Sequence, residues 1–107
     1  MDKIKVLIAD DHRVVREGLA AILKTKEDLH IVGEAQDGME AVEKAKALVP
    51  DVILMDVSMP RMGGVEATRQ IKREFPHIGI VALTMYEEQQ YIFDLVRAGA
   101  TGYLLKE

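Results

Sequence analysis

Cysteine is missing from the 107 residues. Disulfides and thiolate metal sites are therefore excluded, and a reducing compartment is compatible with the chain. Long apolar runs are missing as well. Nothing approaches the roughly 18 residues of a membrane span, and the opening stretch MDKIKVLIADD lacks the apolar core and small-residue cleavage site of a secretory signal. The sequence therefore reads as a soluble, cytoplasmic protein without membrane contact. Basic residues are in the minority, 14 against 18 acids for a formal charge of −4, and no Lys/Arg cluster marks one predicted face. Such a domain gains little from neutralising a phosphate backbone, so this segment alone is not expected to bind nucleic acid. Repeats, low-complexity tracts and linkers are also lacking. A chain of this length makes one domain, residues 1–107, burying about 60 to 70% of the surface its unfolded form exposes.

What is present is an alternation. Five short apolar runs, 4–9 (IKVLIA), 29–35 (LHIVGEA), 51–55 (DVILM), 78–84 (IGIVALT) and 101–105 (TGYLL), are separated by four stretches of helical spacing. Val15, Leu19, Ile22 and Leu23 mark the first helix, and Ala41, Val42, Ala45, Leu48 and Val49 the second. Val65, Thr68 and Ile71 mark the third; Ile92, Leu95 and Val96 the fourth. Asp37 and Gly38 precede the second helix and Gly99 follows the fourth, as helix boundaries require. Strand, helix, strand repeated in this way implies right-handed crossovers and a mainly parallel sheet. Runs one, three and four are apolar at nearly every position, as in strands buried on both faces, whereas His30 and Glu34 place the second run at an edge. By analogy, the expected architecture is α/β: a doubly wound, five-stranded parallel sheet of flavodoxin-like order 2-1-3-4-5. A fifth helix normally covers the last strand, yet the sequence stops at Lys106 and Glu107. The expectation is a chain cut before that helix and any output domain, or a partner over the same face, such as a second copy in a homodimer.

In a sheet of this kind ligands bind beyond the carboxyl ends of the strands. Asp10 and Asp11 follow run one there, Asp56 follows run three, Thr84 closes run four and Lys106 follows run five. Each has a plainer reading alone: Asp11 as a helix cap, Asp56 as a loop acid, Thr84 as a β-former, Lys106 as solvated surface. Their convergence on one edge favours a joint role. Two unit charges about 4 Å apart repel by roughly 4 kcal/mol at an effective dielectric of 20, and a divalent cation relieves this. Oxygen ligands that leave room for water and a phosphoryl group suit Mg²⁺, or Mn²⁺, better than Zn²⁺. Lys106 would add a fixed positive charge for an incoming phosphate, and a carboxylate beside a metal, Asp56, can act as nucleophile. No Gly-rich loop follows the first run, which argues against a nucleotide or flavin site. His12, His30 and His77 have no metal-ligand spacing and are expected in surface or edge roles. The six methionines read as packing residues.

Together, IADDH, ILMDVSMPRMGG, LTMY and AGATGYLLKE resemble the receiver domain of two-component response regulators over essentially the whole chain. DDH, VREGL and GYLLK resemble the subfamily whose receivers precede a LuxR-type helix-turn-helix output domain. The resemblance implies that Asp56 accepts a phosphoryl group from a sensor histidine kinase or a small donor such as acetyl phosphate. It implies Mg²⁺ held directly by Asp11 and Asp56 and by the Ser58 carbonyl, with Asp10 acting mainly through water. Thr84 and Lys106 would bind phosphoryl oxygens, Thr84 and Tyr103 would form the switch around helix four and strand five, and DNA would be reached only through an output domain. The protein would then catalyse its own phosphorylation and dephosphorylation rather than act as a conventional enzyme. Ser58 and Tyr86 occupy the positions that tune dephosphorylation, and bulky Tyr86 is expected to hinder the attacking water. Met85 stands where many receivers have a small residue, which narrows entry for small donors; Glu107 stands where many have proline. Two rival classes remain. A phosphate-independent docking or dimerisation module would not need the full set of site residues. A phosphatase with an aspartate nucleophile would want an acid at position 58, where Ser58 stands.

Overall fold

The computed structural model describes residues 3–84, 94 and 97–105, apart from the side chains of Tyr103 and Leu105. The chain runs β1 (Ile4–Ala9), α1 (Arg13–Leu23), β2 (Leu29–Ala35), α2 (Gly38–Leu48), β3 (Val52–Asp56), α3 (Gly64–Glu74), β4 (Gly79–Thr84) and β5 (Gly102–Leu105). The five strands form one sheet in the order β2-β1-β3-β4-β5, with every neighbouring pair parallel. This is the doubly wound order expected by analogy, with the His30 and Glu34 strand at an edge. Of the fourth helix, the marker residues Ile92, Leu95 and Val96 lie outside the described residues. Residues 97 and 98 are helical, and Gly99 follows at φ +106°, a left-handed conformation that glycine adopts without a Cβ penalty.

Side chains of the central strands alternate between two layers, as the period of two in a strand requires. Leu7, Ala9, Ile53, Met55 and Ile80 face α2 and α3, packing with Ala41, Ala45, Ala67 and Ile71 into the larger core. Val6 and Ile8 point the other way, against Ala20, Leu19 and Leu23 of α1. Burial of each such Leu or Ile contributes roughly 1.5–3 kcal/mol. The expectation that runs three and four are buried on both faces needs correction. Ile53, Met55, Ile80 and Ala82 are buried, but Val52, Leu54 and Val81, on the opposite face, are only half-buried. The reason is coverage: α1 packs against β1 and β2, leaving the β3 and β4 side of that face partly bare among the described residues.

Helix boundaries depart slightly from the sequence pattern. His12, not Asp11, is the N-cap residue of α1. Val49, read as helical, is the C-cap of α2 in a left-handed conformation, φ 41°. Gly18, inside α1, has nothing within 4 Å of the place a Cβ would occupy. Gly18→Ala should therefore stabilise the fold by about 0.5–1 kcal/mol, through propensity and the unfolded chain's entropy. An unchanged or lower urea midpoint would contradict this.

Candidate functional site

Parallel pairing of β1 with β3 puts Ala9 opposite Met55, so the next residues, Asp10 and Asp56, emerge side by side at the carboxyl edge. Asp56 belongs to the strand rather than following it, because its backbone still pairs with Leu83 of β4, and the amide of Val57 donates to Leu83 O at 3.0 Å. The same register sets Thr84, the last residue of β4, one step beyond. Asp10 is held through its main chain. Its amide donates to Ala35 O at 3.0 Å and its carbonyl accepts from Arg16 Nη1 at 2.7 Å, while Arg16 Nε donates to Glu34 at 3.1 Å. Asp10, Asp56 and Thr84 are 0%, 3% and 2% exposed, which makes this a buried acidic edge rather than a surface patch.

Asp11 and His12 close the edge from outside. One donor atom from each of Asp10, Asp11, His12 and Asp56 lies within 4.8 Å of the others. The His12 amide donates to Asp10 Oδ1 at 2.8 Å, and its ring Nδ1 stands 3.1 Å from that oxygen and 3.2 Å from Asp11 Oδ1. Sequence spacing had set His12 aside. The signal that could have found it is adjacency, since the turn from β1 into α1 folds the residue after the two acids back over them.

The loop from Val57 to Gly63 carries Ser58, which is exposed, and is tied at both ends. The Gly64 amide donates to Val57 O at 2.8 Å, and the Gly38 amide donates to Met62 O at 2.9 Å. Between them Arg61, in the left-handed region at φ 65°, reaches Asp37 with Nε at 2.9 Å and Nη2 at 3.2 Å. Asp37 also accepts from the Glu40 amide at 2.8 Å, capping α2. That amide, then the Arg61 guanidinium, hold the Asp37 carboxyl below the ordinary value of 3.8, against an opposing effect of burial. A carboxyl lowered in this way stabilises the fold above its unfolded-state value and loses that contribution as pH falls through its folded-state value. Asp37→Ala should cost about 1–2 kcal/mol at neutral pH, and the difference from wild type should shrink as the pH is brought down through the acid range. A gap in urea stability that stayed constant down to acid pH would contradict the assignment.

Lys106, Tyr86 and Met85, and the side chain of Tyr103, lie outside the described residues; the backbone of Tyr103, in β5, pairs with Ala82 of β4. A cavity of about 720 Å³ lined by Lys3, Lys26, Glu27, Asp28 and His30 sits at the opposite, amino end of β1 and β2 and takes no part in the acidic edge. Among the described residues no helix is long and apolar enough to cross a membrane.

A doubly wound sheet of order 2-1-3-4-5, with one buried aspartate just after its first strand and another ending its third, is the arrangement of a receiver-type fold. Comparison with known proteins agrees, and the chain belongs to the response regulator receiver domain family, whose profile matches residues 6–107. It is 47% identical over 106 residues to the uncharacterized transcriptional regulatory protein YxjL of Bacillus subtilis, covering 99% of this chain and 49% of that one. Among solved structures it is similar to a LuxR-family two-component response regulator from Aurantimonas, with TM-score 0.93 at 32% identity, covering 99% of this chain and 76% of that one. It is also similar to a chain of the CheX–CheY–BeF3–Mg²⁺ complex from Borrelia burgdorferi, with TM-score 0.93 at 27% identity, covering 99% and 80%. The chain spans about half the length of the curated relatives it matches.

Proposed function

We propose that this domain accepts a phosphoryl group on Asp56 from a sensor histidine kinase, in a Mg²⁺-dependent reaction, and thereby controls a transcriptional output in a cytoplasmic signalling pathway. The observation that carries the proposal is the carboxylate edge: Asp10 and Asp56 buried side by side, with a carboxylate oxygen of Asp11 on the open side within the same 4.8 Å. Hard oxygen donors of this kind fit a small divalent cation. Asp11, Asp56 and the Ser58 carbonyl would hold it directly, with Asp10 acting through water. When bound, the ion offsets negative charge on the carboxylates and on the phosphoryl oxygens. The Mg²⁺ in the Borrelia complex, a structure of the same fold, supports this choice.

The chain's own part is positional. β3 fixes the Asp56 oxygen so that it forms the bond to phosphorus as the donor's bond to nitrogen or oxygen breaks. Thr84, one register step away, and Lys106 are assigned to the phosphoryl oxygens. Tyr103 is assigned to the switch, and Tyr86 to slowing hydrolysis by crowding the attacking water. Moving such a switch from 1:99 to 99:1 requires about 5.5 kcal/mol of differential contact between the two conformers. The half-buried Val52, Leu54 and Val81 support a fifth helix over that face in a longer protein with a DNA-binding output domain. If a second copy covers it instead, light scattering of the chain shows a homodimer.

Incubation with acetyl phosphate tests the function. With Mg²⁺ the intact mass should rise by one phosphoryl group per chain, and with EDTA it should not. A chain that stays unmodified under acetyl phosphate, a small phosphoramidate and a phosphorylated kinase alike would support the rival docking module.

A further inference from the structure

Two described non-glycine residues have positive φ. Val49 closes α2, a usual place for that conformation, but Arg61 sits in the middle of the loop that leaves Asp56. The Met62 amide donates to Pro60 O at 2.7 Å, so residues 60–62 make a γ-turn with φ 65° at its centre, the rare and strained form. Glycine would adopt this turn freely, yet the position carries a side chain that reaches α2. The guanidinium forks onto the Asp37 carboxylate, Nε to Oδ2 at 2.9 Å and Nη2 to Oδ1 at 3.2 Å, and a two-pronged pair fixes direction as well as distance. Asp37 is itself anchored, because Oδ1 also accepts the Glu40 amide as the cap of α2. Beside the pair the two backbones touch: the Gly38 amide donates to Met62 O at 2.9 Å, and a Cβ on Gly38 would stand 2.1 Å from that oxygen. One end of the loop is therefore fixed by β3 and the other is clamped to α2, with Ser58 between them.

Strained backbone persists where the surrounding structure over-determines it, and such places cluster at functional sites. We infer that Arg61 is a positioning residue for the acceptor reaction: its fork onto Asp37 holds the loop so that the Ser58 carbonyl faces the Asp56 edge, an assignment that rests on reading that edge as the Mg²⁺-dependent phosphoryl acceptor. Arg61 acts through the backbone and through α2. With the pair in place the loop is ordered before an ion arrives; without it, the cost of ordering the loop falls on the binding step. The effect is therefore on the affinity for Mg²⁺ and not on the rate once Mg²⁺ is saturating.

The test compares wild type with Arg61→Met, Asp37→Asn, the double variant and Arg61→Gly. Asparagine still caps α2, so Asp37→Asn removes the charged fork and keeps the cap. Calorimetry gives the Mg²⁺ affinity, intact mass the Mg²⁺ dependence of modification by acetyl phosphate, and urea unfolding in EDTA the stability. Arg61→Met and Asp37→Asn should each weaken Mg²⁺ binding at least about fivefold, with maximal modification rates within about twofold of wild type. The double variant should bind within about twofold of either single one, because the two side chains act as a unit. Arg61→Gly loses the fork but takes positive φ freely, so it should be more stable than Arg61→Met and yet bind Mg²⁺ at least as weakly. Mg²⁺ affinity unchanged in the variants, losses that add in the double variant, or an affinity that recovers with stability in Arg61→Gly overturn the inference and leave the acceptor reading standing. Wild type that binds no Mg²⁺ and gains no phosphoryl group overturns that reading and the inference together.

Discussion

Asp56→Asn should abolish phosphoryl acceptance without unfolding the chain. The substitution is isosteric, so the pairing of residue 56 with Leu83 and the packing of β3 stay as they are. What disappears is the anionic oxygen assigned to attack phosphorus, and a neutral amide is a poor substitute for it. A loss of at least about a thousandfold in the rate of modification is expected, equivalent to about 4 kcal/mol of barrier. Stability should move the other way. Asp10 and Asp56 are both buried at one edge, with Asp11 beside them. Removing one charge relieves a repulsion of up to roughly 4 kcal/mol per pair at close range. In EDTA the variant should therefore melt no lower than wild type, and with millimolar Mg²⁺ the wild type should recover stability that the variant does not. Intact mass and thermal unfolding, each with and without Mg²⁺, measure the two effects. A variant that still gains a phosphoryl group at a comparable rate places the acceptor elsewhere. One that melts well below wild type in EDTA means that Asp56 serves the fold and not the chemistry.

Much of the architecture could be read from residue order because the apolar pattern changes period at each element. Runs such as IKVLIA and VILM can only be central strands in an alternating α/β chain, and His30 with Glu34 is tolerable only at an edge. Boundaries were harder. Asp56 was read one residue beyond its strand because a carboxylate seldom ends a ladder, and only the pairing with Leu83 shows that this one does. Similarly, β3 and β4 looked buried on both faces, since sequence hydrophobicity does not say which helix covers which strand, while Val52, Leu54 and Val81 are half-buried. In the site, Asp10, Asp11 and Asp56 were legible from the strand-end rule. The place of His12 over them was not, because it depends on a turn folding the residue back onto Asp10. The Arg61 to Asp37 link was invisible for a different reason. It joins residues 24 positions apart, and it requires a left-handed backbone at an arginine, where no sequence pattern would place one.

Gly64→Ala should be, with Gly38→Ala, whose Cβ would stand 2.1 Å from the Met62 carbonyl oxygen, among the most damaging single-methyl changes at the described glycines. The sequence shows only that Gly63 and Gly64 lead into the third helix; the structure shows why the second must stay bare. A Cβ on Gly64 would stand 2.1 Å from the carbonyl oxygen of Asp56, 2.9 Å from its carbonyl carbon and 2.9 Å from Val57 Cα. All three are backbone atoms, so no side chain can swing aside. Gly64 is not among the positive-φ glycines, which leaves the close approach as its reason, unlike Gly99. To admit the methyl group, either α3 must back away, breaking the Gly64 amide's bond to Val57 O and loosening Ala67 and Ile71 from the core, or the end of β3 must shift. The first route should cost about 2–4 kcal/mol, at the upper end for an overpacked core. The second moves the Asp56 carboxylate, and a displacement near 1 Å can lower a reaction rate by about a hundredfold. The expected result combines both: a large fall in the urea midpoint, and, in the fraction still folded at low temperature, acetyl phosphate modification at least about tenfold slower than wild type. Gly18→Ala, adding the same methyl group where nothing lies within 4 Å, is the control for propensity alone. If Gly64→Ala matched Gly18→Ala in stability and kept the wild-type modification rate, the tight seat of α3 against the Asp56 backbone could not be what holds the acceptor in place.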